Sequence, residues 1–526
     1  MTFEIGNSLL SLENVVKVSR MGEKVALSSA AVSRVNASRK TVEKWVAEGR
    51  AVYGITTGFG PLCNMLVSTG NSSELQSNLI RSHSANVGPS FSREIVRATM
   101  LLRINSLAKG NSGIRLEVLN QYVQMLNRNV HPVIPQLGSV GASGDLCPLA
   151  HVALGAMGEG LAEFNGEVMD AGEALKKAGL KPMQYEAKEG LALINGTSNM
   201  TGIASLLVFD CRNLMKQFDI ISAMTLENML VSLSPFDEAA QLLKPHPGQI
   251  KTASNLRKLL KNSKLAVSNM ELTKRLSNQF SKTADVAIAD VSLQNAYSLR
   301  CTPQIMGSIR DALDYVESRV LTEANSVTDN PLVVGDEPFH GGHFHGISVS
   351  LPLDVLAIAL AELAILSERR INRILDKDRS NGLPPFLIRK NPGLQMGFEG
   401  LQYTATNLTA ESRILAGPAS LQTISCNAEN QDVVSMGLIS ARKALQIYNH
   451  VLNIAAIEWM CGLEASDIRG INKLGDASKQ TYSLGRTVFS PLLKDRVMGP
   501  ETEKMAELIR SNKLVQVVEE KIGKLE

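Results

Sequence analysis

Ala142-Ser143-Gly144 lies at the centre of Gly138-Ser139-Val140-Gly141-Ala142-Ser143-Gly144-Asp145-Leu146-Cys147-Pro148-Leu149-Ala150-His151. Small side chains let a backbone bend until an amide nitrogen approaches the carbonyl carbon two residues earlier. Attack of the Gly144 nitrogen on the Ala142 carbonyl, with loss of water, closes a five-membered ring. Loss of the Ser143 hydroxyl as a second water leaves an exocyclic methylene. The product is a 4-methylidene-imidazol-5-one, an electrophile made from backbone alone. The same residues also spell a tight turn followed by a helix capped by Ser143 or Asp145, and composition does not choose between the two.

Other residues along the chain carry polar chemistry. Val52-Tyr53-Gly54-Ile55-Thr56-Thr57-Gly58-Phe59-Gly60-Pro61 holds three glycines within seven residues, which predicts a loop with unusual backbone freedom. A loop carrying a tyrosine can act as a lid that supplies an acid or base. His83 falls in a helical pattern over 75–86. Asn195, between an apolar run and Gly196, is placed to cap a following helix. Tyr297 and Arg300 are three apart and Gln294 another three back, so a helix through them aligns an amide, a phenol and a guanidinium on one face. An arginine fork binds a carboxylate through two parallel hydrogen bonds. His340, His343 and His345 invite a metal, but their spacing gives no common face and no carboxylate or cysteine set accompanies them, so no metal is expected.

The string around Ser143 resembles the signature of the aromatic amino acid ammonia-lyase and aminomutase family. Further segments resemble that family in the expected order over residues 50–440: the Tyr53 loop, Leu193-Ile194-Asn195-Gly196-Thr197, the Tyr297–Arg300 segment, Gly341-Gly342-His343-Phe344-His345-Gly346, Gly397–Thr406 leading to Glu411, and Asn430-Gln431-Asp432-Val433. The resemblance implies a methylidene-imidazolone formed autocatalytically from Ala142, Ser143 and Gly144, with no external cofactor. It implies Tyr53 as the base for a β-proton and Arg300 as the carboxylate clamp. Asn195, Gln294, Tyr297 and Phe344 then surround the ring and substrate, Asn195 as partner of the ring carbonyl or of the substrate amine, with Glu411 and Gln431 nearby. His83 stands where the family faces the substrate side chain, and suits a tyrosine hydroxyl or an imidazole. The implied reaction removes ammonia from an aromatic L-amino acid, L-tyrosine ahead of L-histidine, to give a trans-α,β-unsaturated acid; an aminomutase returns the amine to the β-carbon. An inactive scaffold is the reading from another class, and the intact Ala142-Ser143-Gly144, Tyr53 and Arg300 argue against it. The sequence departs from the family at His343, where asparagine is usual.

The elements that position these residues are read as helices. The implied fold is mostly α, a central bundle of long helices of the fumarase/aspartase-like ammonia-lyase architecture. The expected segments are 1–205 with the lid and the Ser143 turn, 206–480 with the bundle, and 481–526 as a helical tail. The implied assembly is a homotetramer with shared active sites. The 526 residues are 44% hydrophobic but only 4% aromatic, so the core is aliphatic, which suits packed helices. Lys+Arg number 54 against Asp+Glu 51, a net charge of +3, without the clustered basic residues of a nucleic-acid surface. Six scattered cysteines with no Cys-x-x-Cys pair read as reduced thiols. No secretory signal is visible at the N-terminus. The most apolar stretch, 355–366, falls short of the roughly 20 residues of a membrane span and reads as the start of the longest buried helix, 355–376. A cytoplasmic protein is expected, and 254–290 reads as a surface connection.

Overall fold

The computed structural model describes residues 2–281, 285–286 and 293–526. It is 59% helix and 8% strand, a mostly helical protein as expected. Two compact units emerge, each assembled from three stretches of chain. The first comprises Met1–Phe209, Tyr315–Val355 and Pro418–Leu445; the second comprises Asp210–Asp314, Leu356–Gly417 and Gln446–Glu526. Four long helices contribute residues to both units: α1 (Ser198–Asn228), α2 (Thr302–Ala324), α3 (Ile347–Leu375) and α4 (Gly437–Arg469).

The described strands all fall in the first unit, as three two-stranded sheets and one of three strands. Local chemistry explains their turns and the helix ends. Leu161–Phe164 and Glu167–Asp170 pair antiparallel across Asn165-Gly166, where φ is +50° and +93°. Both signs match the tight hairpin turn that asparagine and glycine favour. The helix Ser29–Ala47 starts on Ser28, whose hydroxyl accepts the Ala31 N–H at 3.1 Å. It ends before Gly49, which takes the left-handed φ of +64° common at helix C-termini. The helix Arg93–Leu107 is buried from Ile95 onward.

In the second unit the helices enclose charge as well as aliphatic side chains. Arg370 and Glu458 are both fully buried, 3.5 Å apart. Glu458 also accepts from Thr225 Oγ1 at 2.9 Å and Ser367 Oγ at 2.6 Å. Arg370 donates to the Ser298 carbonyl at 2.9 Å and to Thr302 Oγ1 at 2.8 Å. Every polar end of this pair has a partner.

Several expectations shift in detail. Helix α3 begins at Ile347, eight residues earlier than the expected 355. Pro352 lies inside it; proline there forfeits the bond to the Ser348 carbonyl and crowds that carbonyl with its ring, and the burial of Val349, Leu353 and Leu356 holds the helix through it. Burial is not complete on all sides, because Leu351 and Ile358 remain 48% and 51% exposed. Helix α3 is also long and apolar enough to cross a membrane by length and composition, yet 72% of its apolar window is buried inside the protein, as in a core helix. Gln294 is not on a helix with Tyr297 and Arg300: that helix is the four-residue Tyr297–Arg300, and Gln294 precedes it in a bend. The stretch 254–290 takes in the end of the helix Pro247–Leu259 and the whole helix Asn269–Phe280, and its residues 282–284 and 287–290 lie outside those described.

Candidate active site

The Ser143 turn is tightly bent, with left-handed residues on and around it. Ser143 has φ +47°, and Gly141 and Gly144 have φ +80° and +82°, values that glycine tolerates and a side chain resists. The Gly144 N–H donates to the Gly141 carbonyl at 3.2 Å. Gly196 braces the turn from a second strand of chain: its N–H donates to the Ser143 carbonyl at 3.1 Å, and its carbonyl accepts the Asp145 N–H at 2.7 Å. A Cβ at position 144 would lie 2.2 Å from the Gly196 oxygen, so only glycine fits there.

Asp145 stands at the start of the helix Leu146–Ala156 but does not cap it through its side chain. Its Oδ2 instead accepts the N–H groups of Asn199 and Met200, both at 2.8 Å, in the first turn of α1. The expected cap therefore serves the other helix. Burial pushes the Asp145 carboxyl up to about 7, against those two backbone bonds, and Oδ1 has no partner.

Above the turn opens a cavity of about 490 Å³, lined by Tyr53, Ala142, Ser143, Asn195, Phe344 and Gln431 among others, all of the first unit. Gln431 Nε2 comes within 3.5 Å of Ser143 Oγ. The loop of Tyr53 is pinned at three points. Its phenol oxygen accepts the Gly60 N–H at 2.9 Å, its own N–H donates to His340 Nε2 at 3.3 Å, and the Gly54 carbonyl accepts Gln76 Nε2 at 3.1 Å. Burial raises the Tyr53 phenol above its ordinary value, and the Gly60 N–H opposes this. The helix Leu146–Ala156 and helices α1, α3 and α4 all begin two or three residues after a cavity-lining residue, and the start of a helix is its positive end.

Of the residues singled out from sequence, Tyr53, Ala142, Ser143, Asn195, Phe344 and Gln431 meet at this cavity, with Gly144 buried directly beneath. Gln294, Tyr297, Arg300 and Glu411 belong to the second unit. There Gln294 and Arg300 line a separate cavity of about 430 Å³ with Ser232, Asn295 and Gln304, the Arg300 guanidinium lies 4.8 Å from the Tyr297 ring centre, and Glu411 lies 3.8 Å from His450 Nε2. His83 ends the helix Ser72–His83 and is absent from the lining. Exposed His343 is absent from it as well. Among the described residues no group of three His, Cys, Asp or Glu could hold a metal ion. Lys188, Asp329 and Arg103 were not singled out from sequence, and His340 was weighed there only as a metal ligand. The first three are buried polar residues behind Asn195, brought there from separate parts of the chain, and no local spacing announces them.

The residues fit the ring the resemblance implies: the turn is already closed on itself, its third residue admits no side chain, and the buried Asn195 Oδ1 beside it lacks a partner. Comparison with known proteins agrees. Residues 10–487 match the aromatic amino acid lyase family. The chain is 43% identical to histidine ammonia-lyase 2 of Fusobacterium nucleatum, over 99% of both chains. It is 40% identical to the MIO-dependent tyrosine 2,3-aminomutase of Streptomyces globisporus, over 98% of this chain and 96% of the other. Its structure is similar to the crystal structure of tyrosine aminomutase from the same organism, with TM-score 0.96 and 39% identity over 100% of each chain. The protein belongs to the aromatic amino acid lyase family and is an enzyme of the carbon–nitrogen lyase class.

Proposed function

We propose that this enzyme eliminates ammonia from an aromatic L-amino acid whose ring ends in a hydrogen-bonding group, L-tyrosine first. The observation that carries the reading is the meeting of the bent Ala142-Ser143-Gly144 turn with Tyr53, Asn195 and Phe344 at one cavity. Those three turn residues would hold the methylidene-imidazolone, which supplies an electrophile that makes the α-amine a better leaving group, and the positive helix ends would strengthen it. Tyr53, as phenolate, takes the β-proton; the Cα–N bond breaks, and ammonia and a trans-α,β-unsaturated acid leave. The Gly60 N–H on the Tyr53 oxygen favours the ionised form that this role needs. Return of the amine to the β-carbon before release is the second outcome of the same site, as the name of the Streptomyces relative indicates for that protein.

Arg300 holds the carboxylate and Gln294, Tyr297 and Glu411 complete the site from neighbouring copies in a homotetramer. Two observations support this. No arginine or lysine lines the Ser143 cavity among the described residues, although a carboxylate needs one. On α3, Ser348, Leu351, Val355, Ile358, Glu362, Ile365 and Arg369 recur at spacings of three and four, all exposed or half-buried in the single chain. This is the open seam a facing helix fills. The same helix, buried over most of its apolar window, fits the core of a protein better than a membrane span.

His83 reads the far end of the ring. Its Nδ1 lies 3.0 Å from the Leu79 carbonyl, which can only accept, so Nδ1 carries the proton and Nε2 is left as an acceptor. Burial lowers its proton affinity and keeps it neutral. A phenol or an imidazole N–H satisfies Nε2, whereas a bare phenyl edge leaves it without a partner. Asn430-Gln431-Asp432-Val433, all at the cavity, resembles the tyrosine branch; the 43% identity to a histidine ammonia-lyase favours histidine as the second reading. The test gives the protein L-tyrosine and L-histidine in parallel, with Ser143→Ala as control, and follows ammonia and the product's ultraviolet spectrum. We expect 4-hydroxycinnamate from tyrosine. Urocanate from histidine alone would replace the substrate, β-tyrosine without net ammonia would mark the mutase outcome, and neither ammonia nor a β-amino acid from either substrate would overturn the reading.

A further inference from the structure

Behind Asn195 lies a buried ion pair that the reaction as described does not use. Lys188 and Asp329 are both 0% exposed, and Lys188 Nζ sits 2.7 Å from Asp329 Oδ2. Burial pushes the Lys188 ammonium below its usual range and Asp329 pulls it back. The second oxygen, Asp329 Oδ1, accepts the Asn330 N–H at 2.7 Å and Asn195 Nδ2 at 3.3 Å. Asn195 Nδ2 also donates to the Asn330 carbonyl at 2.8 Å.

Both amide protons of Asn195 are thereby committed, while its Oδ1 is buried and has no partner. A half-turn of the amide would set that oxygen against the Asp329 carboxylate and the Asn330 carbonyl, acceptors facing an acceptor. The orientation of the amide is therefore dictated by Asp329, and Asp329 is held by Lys188. Lys188 is itself fixed, at φ +75° immediately before the short helix Glu189–Ile194 that ends on Asn195. On the backbone side, Arg103 Nη1 donates to the carbonyls of Asn195 and Thr328, each at 3.2 Å. Of the two partners open to Asn195, a ring carbonyl requires a donor, and the amide has none left. A substrate amine offers N–H groups, which is what Oδ1 lacks.

We propose that Lys188 and Asp329 are positioning residues that hold Asn195 as an acceptor for an N–H of the substrate's α-amine. They touch no substrate and act through Asn195. The inference rests on the amino acid reading of the cavity given above. Asp329→Asn exchanges a carboxylate for a group that can itself donate, and releases the Asn195 amide to turn.

The test reads binding alone, by calorimetry in the full chain carrying Ser143→Ala, so that neither ring formation nor turnover enters. The probes are two pairs that differ by the amine: L-tyrosine with 4-hydroxycinnamate, and L-histidine with urocanate. Asp329→Asn should weaken the bound amino acid about 10- to 100-fold, the range for a hydrogen bond to a charged group, and leave its unsaturated acid within about twofold. Added to Asn195→Ala it should cost nothing further, since residues acting through one another are not additive. Lys188→Met with Asp329→Leu, an apolar pair of similar volume that keeps the interior packed, should show the same amine-selective loss. Equal weakening of amino acid and unsaturated acid, multiplying effects with Asn195→Ala, or unchanged amino acid affinity in the apolar pair would each overturn the proposal. So would failure of both amino acids to bind the Ser143→Ala chain. Turnover by the unaltered protein, read as ammonia or as a β-amino acid, tests the function separately, and the absence of both would remove the function together with this inference.

Discussion

Arg370–Glu458 in the second unit and Lys188–Asp329 in the first are the same device put to different ends. Both are fully buried ion pairs. In the first of these, Ser298, Thr302, Thr225 and Ser367 satisfy what the pair leaves over. Such a pair contributes little net stability over an apolar replacement, but breaking it on one side leaves a stranded charge. Behind Asn195 the pairing is carried one residue further and then stops: Asn195 Oδ1, Asp145 Oδ1 and two nitrogens of Arg103 lack partners. The backbone differs in the same way. Ser143 and Lys188 hold positive φ, whereas Arg370 and Glu458 sit within helices α3 and α4. Between these two pairs, unmet hydrogen bonds and left-handed residues go with the one beside the cavity, and full satisfaction with the one inside the long helices.

The sharpest way to break this contrast starts at Tyr53. Tyr53→Phe keeps the ring and its edge contact with Phe59, whose centre lies 6.3 Å away, and removes only the proton acceptor. We expect kcat to fall about 10²- to 10⁴-fold with little change in melting temperature. In the unaltered enzyme the rate should climb with pH toward the raised Tyr53 value as phenolate accumulates, and that climb should vanish in the variant. A pH–rate profile of both proteins checks it.

Arg370→Met probes the opposite pole. It strands Glu458, and we expect a loss of about 3–5 kcal/mol in unfolding free energy with kcat per folded molecule unchanged. Denaturant titration beside active-site counting measures both. A variant of normal stability and low kcat would dissolve the contrast.

A further test concerns Asp145. Its folded value of about 7 lies above the unfolded value of about 3.9, so the folded state binds the proton more tightly. Its contribution to stability is present at acid pH and is lost as pH rises from about 4 to about 7. Asp145→Asn still offers an oxygen to the Asn199 and Met200 N–H groups and should flatten that slope, which melting temperatures across the interval will show. An unchanged slope would assign the pH dependence elsewhere.

What could be read from the sequence was local. Asn165-Gly166 announces its hairpin, Gly49 its helix end, and the small residues around Ser143 their turn, because each conformation is demanded by residues adjacent in the chain. The start of α3 at Ile347 was missed because tertiary burial holds the helix through Pro352. Gln294 misled because a spacing of three implies one face only where a helix exists, and the helix starts at Tyr297. Lys188 and Asp329 are 141 residues apart, and no periodicity links them. Asp145 read as a cap for the helix it precedes, and folding delivered a different helix to its carboxylate.

The brace that Gly196 lays across the Ser143 turn has a consequence for timing. Gly196 is placed by the chain that follows it, since α1 begins two residues later and is gripped at its first turn by Asp145. A nascent chain emerging from the ribosome only as far as Ser143 therefore carries that turn as slack, ordinary peptide. The bend becomes enforceable after the downstream segment has been synthesised and docked, so any covalent maturation of the turn is a late event, licensed by folding and not by translation of the tripeptide itself.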